Sequence, residues 1–421
     1  INPGDVFVAL ETENDDGHRY VNAAFDAGAV AAVVKARKKR LFSPGEQKKM
    51  IAVNDPLGAL QRMAGMYRKE LGILMLGLTG SNGKTTTRNF IAHVIQKAYP
   101  LSQTKGNFNN HIGVPLSILG FSGKEWLGII EMGANHKHEI HTLSMITRPD
   151  IALITNIGYA HIGMFGSLEG TARAKFEIVD GLTKKKGFLL INGDDSRLFK
   201  HAADTDVKTI SYGFSSRCDI RATDYQLLSS SKARFRVEDT MYELRMPGRH
   251  FVYSALPAIF LAKRFGMDET TIAKALKEIR PISLRGTIRK KKGAQYILDC
   301  YNANPSSMKS ALELLDDVAG RGAKVAIVGD MLELGHASKR LHRQLGRRMF
   351  EHGIVRSLAV GRYAGDIAEG AVKAGMKAQA IKTAASPEAA GAIAGSLIRP
   401  GNTVLVKGSR KVHLETVYKK I

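Results

Sequence analysis

The chain has 421 residues, 44% hydrophobic and 24% charged, a globular composition with room for two to four domains at about 100–200 residues each. Its apolar runs all break well before about 20 residues, which excludes a transmembrane helix, and two distant cysteines, Cys218 and Cys300, exclude a disulfide framework or a Cys-based zinc site and fit a reducing compartment. Lys plus Arg outnumber Asp plus Glu by 62 to 39, a net charge of +23 that predicts attraction to polyanions: nucleic acid, anionic membrane, or a small molecule rich in phosphate and carboxylate.

In chain order, residues 6–10, 29–34 and 51–53 read as strands, and 21–27 and 57–70 as helices, the second opened by Asp55-Pro56. No signal peptide opens the chain, and its start at Ile1 in mid-domain sequence leads us to expect preceding residues. A continuous apolar strand at 73–79 runs into a glycine-rich loop and a helix over 86–97. Further buried strands follow at 128–131, 151–157 and 188–191, and a helix at 271–279. After Pro281 comes a second alternation, with strands at 295–299, 324–328, 355–360 and 403–406 and a helix at 306–318. The fold class is therefore α/β: a small N-terminal domain over 1–70, a central mostly parallel-sheet domain over 71–281, and a Rossmann-like domain over 282–421. The charge excess lies mainly in this last third, with 24 basic against 11 acidic residues. Basic runs at 35–40, 184–186 and 289–292 read as solvated loop and helix surfaces. Aromatics do not interleave with them, which disfavours single-stranded nucleic acid.

The sharpest local signal is TGSNGKTTT over 79–87, between strand and helix. Glycines let backbone N–H groups approach phosphate oxygens, Lys84 can reach the β- and γ-phosphates, and the Thr85 hydroxyl can hold Mg²⁺. The general pattern wants Gly where Leu78 stands, so the loop is a variant bent at Gly80 and Gly83. A plain turn with an exposed lysine is the competing reading, and the strand–loop–helix setting disfavours it.

Glu131 ends the strand GIIE, where a carboxylate would enter the ligand crevice and hold Mg²⁺; helix capping is the alternative. His161 lies in a glycine-rich loop after the strand at 151–157, and local sequence leaves structural and metal-contact roles open. Lys175, by helical spacing, reads as a surface lysine. The stretch 104–115 (TKGNFNNHIGVP) is either a polar substrate surface or an ordinary turn cluster.

TGSNGKTTT, GNFNNHIGVPLSIL, EMGANHKHEI, TNIGYAHIGMFGS, LDCYNANPSSM, VGDMLELG and VLVKGSR follow one another in an order that resembles the Mur ligases of peptidoglycan synthesis. YNANP and GNFNN point within that family to its D-alanyl-D-alanine-adding branch. The resemblance covers essentially the whole chain. It implies a uridine-nucleotide domain, an ATP domain and a domain for the incoming amine, with more sequence expected before PGD at 3–5. It implies a cytoplasmic enzyme that joins UDP-MurNAc-tripeptide to D-Ala-D-Ala through an acyl phosphate, with ATP and two Mg²⁺ ions as cofactors.

Residue by residue, it implies ATP contacts at Thr79, Gly80, Ser81, Asn82, Gly83, Lys84, Thr85, Thr86, Arg285, Asp299 and Asn304. Metal contacts fall at Thr85, Glu131 and His161, and substrate contacts at Asn107, Asn109, Asn110, Lys407, Ser409 and Arg410. Lys84, His161 and Lys175 match catalytic positions, and Lys175 matches a lysine that can be carbamylated. Cys300 reads as structural. A sister ligase with another amino component, and a nucleotide-gated binding protein without catalysis, are the other readings. YNANP opposes the first, and the intact set Lys84, Glu131, His161 and Lys175 opposes the second. The third residue of the accepted peptide, meso-diaminopimelate or L-lysine, is not encoded in any recognisable motif.

Overall fold

Three sheets organise the molecule in a computed structural model that describes residues 1–183, 187–229 and 231–421. The basic run at 184–186 lies outside the described residues. The first sheet holds three parallel strands, Val6–Val8 (β1), Ala31–Lys35 (β2) and Met50–Val53 (β3). Its small core of Ala9, Val21, Ala32, Val34 and Met50 reflects the shortness of those strands.

The second sheet has nine strands. In chain order they are Leu74–Thr79 (β4), Leu101–Gln103 (β5), Leu127–Glu131 (β6), Ile151–Ile154 (β7), Phe188–Asn192 (β8), Thr209–Gly213 (β9), Ile220–Ser229 (β10), Lys232–Val237 (β11) and Thr240–Leu244 (β12). Their spatial order is β12-β11-β10-β9-β8-β7-β4-β6-β5. From β5 to β10 the pairs are parallel, and β10–β12 add an antiparallel meander. The chain enters at β4, winds to one side through β5 and β6, then returns to β7 on the other. That reversal makes the C-terminal ends of β4, β6 and β7 a topological switch point, where open α/β sheets bind ligands. Apolar clusters cover both faces of the sheet. The helix Arg249–Arg264 packs along Lys84–Ile95 on one of them.

The third sheet has order β13-β14-β18-β15-β16-β17: Thr287–Lys291 (β13), Ala294–Leu298 (β14), Lys324–Gly329 (β15), Ile354–Val360 (β16), Ile381–Ala384 (β17) and Thr403–Lys407 (β18). All its pairs are parallel except β13–β14. Both faces are again covered by buried clusters. Among the described residues no helix is long and apolar enough to cross a membrane, and both cysteines are buried and free.

Two features differ from the sequence expectation. The meander β10–β12 was not anticipated, because most side chains of β10 are solvated and carry no apolar run. The basic run at 289–292 belongs largely to β13, a hairpin strand rather than a loop or helix surface.

The first sheet's helix, Pro56–Glu70, is fastened to the second unit by Arg68. Its guanidinium is 7% exposed and donates to the carbonyls of Leu71, Thr147 and Arg148 and to Asp150 Oδ2, at 2.8–3.1 Å. One cation thus satisfies the orphan carbonyls at the ends of two helices. Arg68→Ala leaves those carbonyls unpaired and is expected to lower stability by about 2–3 kcal/mol, read as an earlier urea midpoint of the first transition.

Candidate active site

The loop after β4 is built by backbone that only glycine adopts easily. Gly80 has φ of 141° and Gly83 of 79°, and a Cβ on Gly80 would stand 2.0 Å from Thr155 Oγ1. Leu78 sits in mid-strand, paired with Glu131 and Leu153 and fully buried, which is why the variant tolerates leucine there. The loop is held from behind by the segment that follows β7. Thr155 Oγ1 donates to Asn82 O at 2.6 Å, Asn82 N donates to Asn156 Oδ1 at 3.0 Å, and Ser81 N donates to Asn156 O at 3.0 Å. The helix Lys84–Ile95 then begins, with its unpaired N–H groups at the mouth of the crevice.

Lys84 Nζ rests on Gly80 O at 2.7 Å, and burial lowers its pKa. Thr85 Oγ1 donates to Glu131 Oε1 at 3.1 Å and accepts from Arg285 Nη2 at 3.2 Å. Glu131 is 2% exposed and also accepts from Asn109 Nδ2 at 3.0 Å. Its other oxygen lies 3.1 Å from Arg88 Nη1 yet makes no hydrogen bond among the described residues. A buried carboxylate beside a hydroxyl, with one oxygen held only by an ion pair to Arg88, is a hard-oxygen donor set that suits Mg²⁺. Glu131 is therefore a member of the crevice and not a helix cap. Arg88, one turn beyond Lys84 on the same helix face, was missed in the sequence; the i,i+4 repeat of cations was the available signal.

Around this point opens a cavity of about 1230 Å³. Ser81 to Thr86, Asn107, Asn109, Asn110, Glu131, His161, Arg285, Asp299 and Lys407 all line it. Asn110 also caps the helix Gly113–Leu119 through its Oδ1, which accepts from Ile112 N and Gly113 N. Other expected residues stand back from the cavity. Thr79 is buried and donates to Met132 O at 2.8 Å, and Gly80 supplies only its carbonyl to Lys84. Asn304 caps the helix Pro305–Ala319 and donates to Asn82 Oδ1 at 2.7 Å. Ser409 is buried, accepting from Leu332 N at 3.0 Å, and Arg410 is exposed and paired with Glu415. Lys407 is 1% exposed and donates to Asp299 Oδ2 at 2.6 Å and Asn302 O at 2.9 Å.

Lys175 overturns its local reading. On the helix Leu168–Phe176 it is 1% exposed, its Nζ lies over the Phe165 ring at 5.4 Å, and it has no hydrogen-bond partner among the described residues. Burial, reinforced by the charge of Lys84, lowers its pKa to about 7. His161 follows β7 in the left-handed region, at φ of 56°, and its Nδ1 is 2.5 Å from Glu333 Oε2 in the third unit.

The far end of the cavity was not legible in the sequence. His250 is held neutral there, its pKa pushed down to about 4 by burial, and Tyr253 donates to Asp194 at 2.8 Å. Elsewhere, Glu11, Asp16 and His18 in the first unit are the one cluster of three potential metal ligands found among the described residues. Lys35 and Lys38 pair with its carboxylates, making it an ion-pair network.

Residues 78–262 match the Mur ligase middle domain, and residues 285–410 match the Mur ligase glutamate ligase domain. The chain is 37% identical over 419 residues to the UDP-N-acetylmuramoyl-tripeptide–D-alanyl-D-alanine ligase of Bacillus subtilis, covering 99% of this chain and 90% of that one. Among solved structures it is similar to MurF from Acinetobacter baumannii, at TM-score 0.88 and 30% identity, covering 99% of this chain and 90% of that one. It is also similar to MurF from Thermotoga maritima in complex with ADP, at TM-score 0.87 and 26% identity, covering 100% and 94%. Gly80→Ala forces the loop away from Thr155. Calorimetric titration should show adenine-nucleotide affinity falling about tenfold or more, with the circular dichroism of the fold retained.

Proposed function

The chain belongs to the Mur ligase family, and we propose that it adds D-alanyl-D-alanine to a UDP-N-acetylmuramoyl-tripeptide in an ATP-driven ligation. The observation that carries this reading is the Thr85 hydroxyl, bonded at once to Glu131 of the second sheet and Arg285 of the third unit. On this reading residues 1–70 take the uridine nucleotide, 71–281 take ATP and 282–421 receive the dipeptide. The setting is cytoplasmic precursor synthesis.

The tripeptide's terminal carboxylate attacks the γ-phosphorus, ADP leaves, and an acyl phosphate forms. The dipeptide amine then attacks the acyl carbon, and inorganic phosphate departs. Such phosphoryl transfer asks for positioning and charge neutralisation. Lys84 swings from Gly80 O to the phosphates, the helix N-terminus cradles them, and Arg285 reaches them from the third unit. Thr85 and Glu131 would hold Mg²⁺, and His161 a second ion; bound there, the ions supply charge neutralisation at phosphate and acyl oxygens. Asn107, Asn109 and Asn110 offer amides to the muramoyl peptide. Asp299, fixed by Lys407, is the acceptor for the ribose, and Asn304 fixes the phosphate loop from the third unit. Ser409 and Arg410 act behind this surface, through the loop they brace. Apposition of the units excludes water from the acyl phosphate.

Lys175 is the site of carbamylation on this reading: its neutral amine adds to the carbon of CO₂ and the proton goes to solvent. Burial brings the amine's pKa down to about 7, so that near pH 7 a large share is neutral where an ordinary lysine is almost wholly protonated.

Two measurements test the assignment. Phosphate release from ATP should require both the UDP-tripeptide and D-Ala-D-Ala, and Lys84→Ala should abolish it while leaving the UDP-substrate bound; near-normal turnover in that variant sinks the loop assignment. For Lys175 the sign is set by its lowered pKa. With bicarbonate held constant, activity should fall as pH drops through about 7; at pH 8 it should be low in CO₂-depleted buffer and return on adding bicarbonate, and Lys175→Ala should not respond to bicarbonate.

A further inference from the structure

Besides the packing of Tyr159 and Ile162 against its core, the third unit meets the loop after β7 through two atoms of one residue. Glu333 Oε2 is 2.5 Å from His161 Nδ1, and Glu333 O accepts from Gly163 N at 3.1 Å. The fit is close: a Cβ on Gly163 would stand 2.9 Å from Gly335 N and 3.1 Å from Glu333 O. Both His161, at φ of 56°, and Glu333, at φ of 65°, hold the left-handed backbone that residues other than glycine avoid. Such conformations persist where surrounding contacts over-determine them. The two residues lie in loops of different units, the first after β7 and the second after β15, and their side chains meet between them.

We propose that Glu333 is a positioning residue that fixes the ring of His161, so that the orientation of His161 is set by the third unit and is complete only when that unit is apposed. A carboxylate this close to Nδ1 favours a proton there and leaves Nε2 as the ring nitrogen with no partner among the described residues, on a residue that lines the cavity. An acceptor at one ring nitrogen is the usual way a protein fixes which nitrogen of a histidine acts. Gln in place of Glu333 still accepts from Nδ1–H, whereas Ala does not. Gly163 acts through the main chain alone, so enlarging it separates the two loops without altering either side chain's chemistry. The inference rests on the ligase reading for the step that His161 serves, while its main readout does not depend on turnover.

The experiment uses the full chain with ¹⁵N-labelled histidine. In the wild type with ATP bound, the His161 ring is expected to show the Nδ1–H form. Glu333→Ala should shift it to the Nε2–H form or a mixture, Gly163→Ala should do the same, and Glu333→Gln should keep the wild-type pattern. In parallel, kcat should fall about 10- to 100-fold in Glu333→Ala with KM for ATP little changed, and Glu333→Gln should recover most of it. The Glu333→Ala and Gly163→Ala losses should not add. A His161 pattern and kcat unchanged in Glu333→Ala overturn the proposal. So does a loss of kcat that Glu333→Gln fails to restore while the ring pattern stays put. Absent turnover in the wild type, with the ring pattern still governed by Glu333, would instead count against the ligase reading alone.

Discussion

Three cations, Lys84, Arg88 and Arg285, converge on one buried carboxylate, Glu131, and that imbalance governs the molecule. Glu131 opposes the loss of charge on Lys84 and Arg88 that burial promotes, while Arg285 adds to it. A surplus of positive charge held close together is costly unless an anion completes it. The polyphosphate of a nucleotide supplies that anion, and the switch point between β4, β6 and β7 places every donor around it. Because Arg285 arrives from a separate sheet, the charge pattern exists only with the units together. Recognition of the nucleotide and apposition of the units are one electrostatic event.

The parts legible in the sequence were those whose chemistry is local. A phosphate loop announces itself because glycine, lysine and a hydroxyl must follow a strand in fixed order, and Glu131 because a strand ends there. Lys175 was misread from its own helix. The lysine points inward because Phe165 and neighbouring loops bury it, and no periodicity of one segment records what another segment covers. Ser409 and Arg410 lie next to a true cavity residue, Lys407, yet the strand end turns them behind the surface and out to solvent. His250 carries no motif, and Glu333, although it lies within VGDMLELG, was given no role there. Their places are set by long-range packing; in the meander β10 is mostly solvated, while β11 and β12 carry an alternation of buried residues that the sequence reading passed over.

The third unit thus does more than bring a substrate. Through Asn304 it braces the phosphate loop at Asn82, through Arg285 it meets Thr85, and through Glu333 it meets His161. Each contact falls on a different part of the second unit's crevice: the phosphate loop, the Thr85 hydroxyl and the segment after β7.

One strand bears on the charge with which the chain began. β13 is the outermost strand of its sheet, hydrogen-bonded to β14 on one side only, and it carries Arg289, Lys290 and Lys291, with Lys292 in the turn beyond. An open strand edge is a template on which another polypeptide can add, and repeated lysine is a common defence against it. Two copies of this edge would bring like charges into register. Part of the +23 thus lies along an open strand edge, where it opposes the pairing of two such edges.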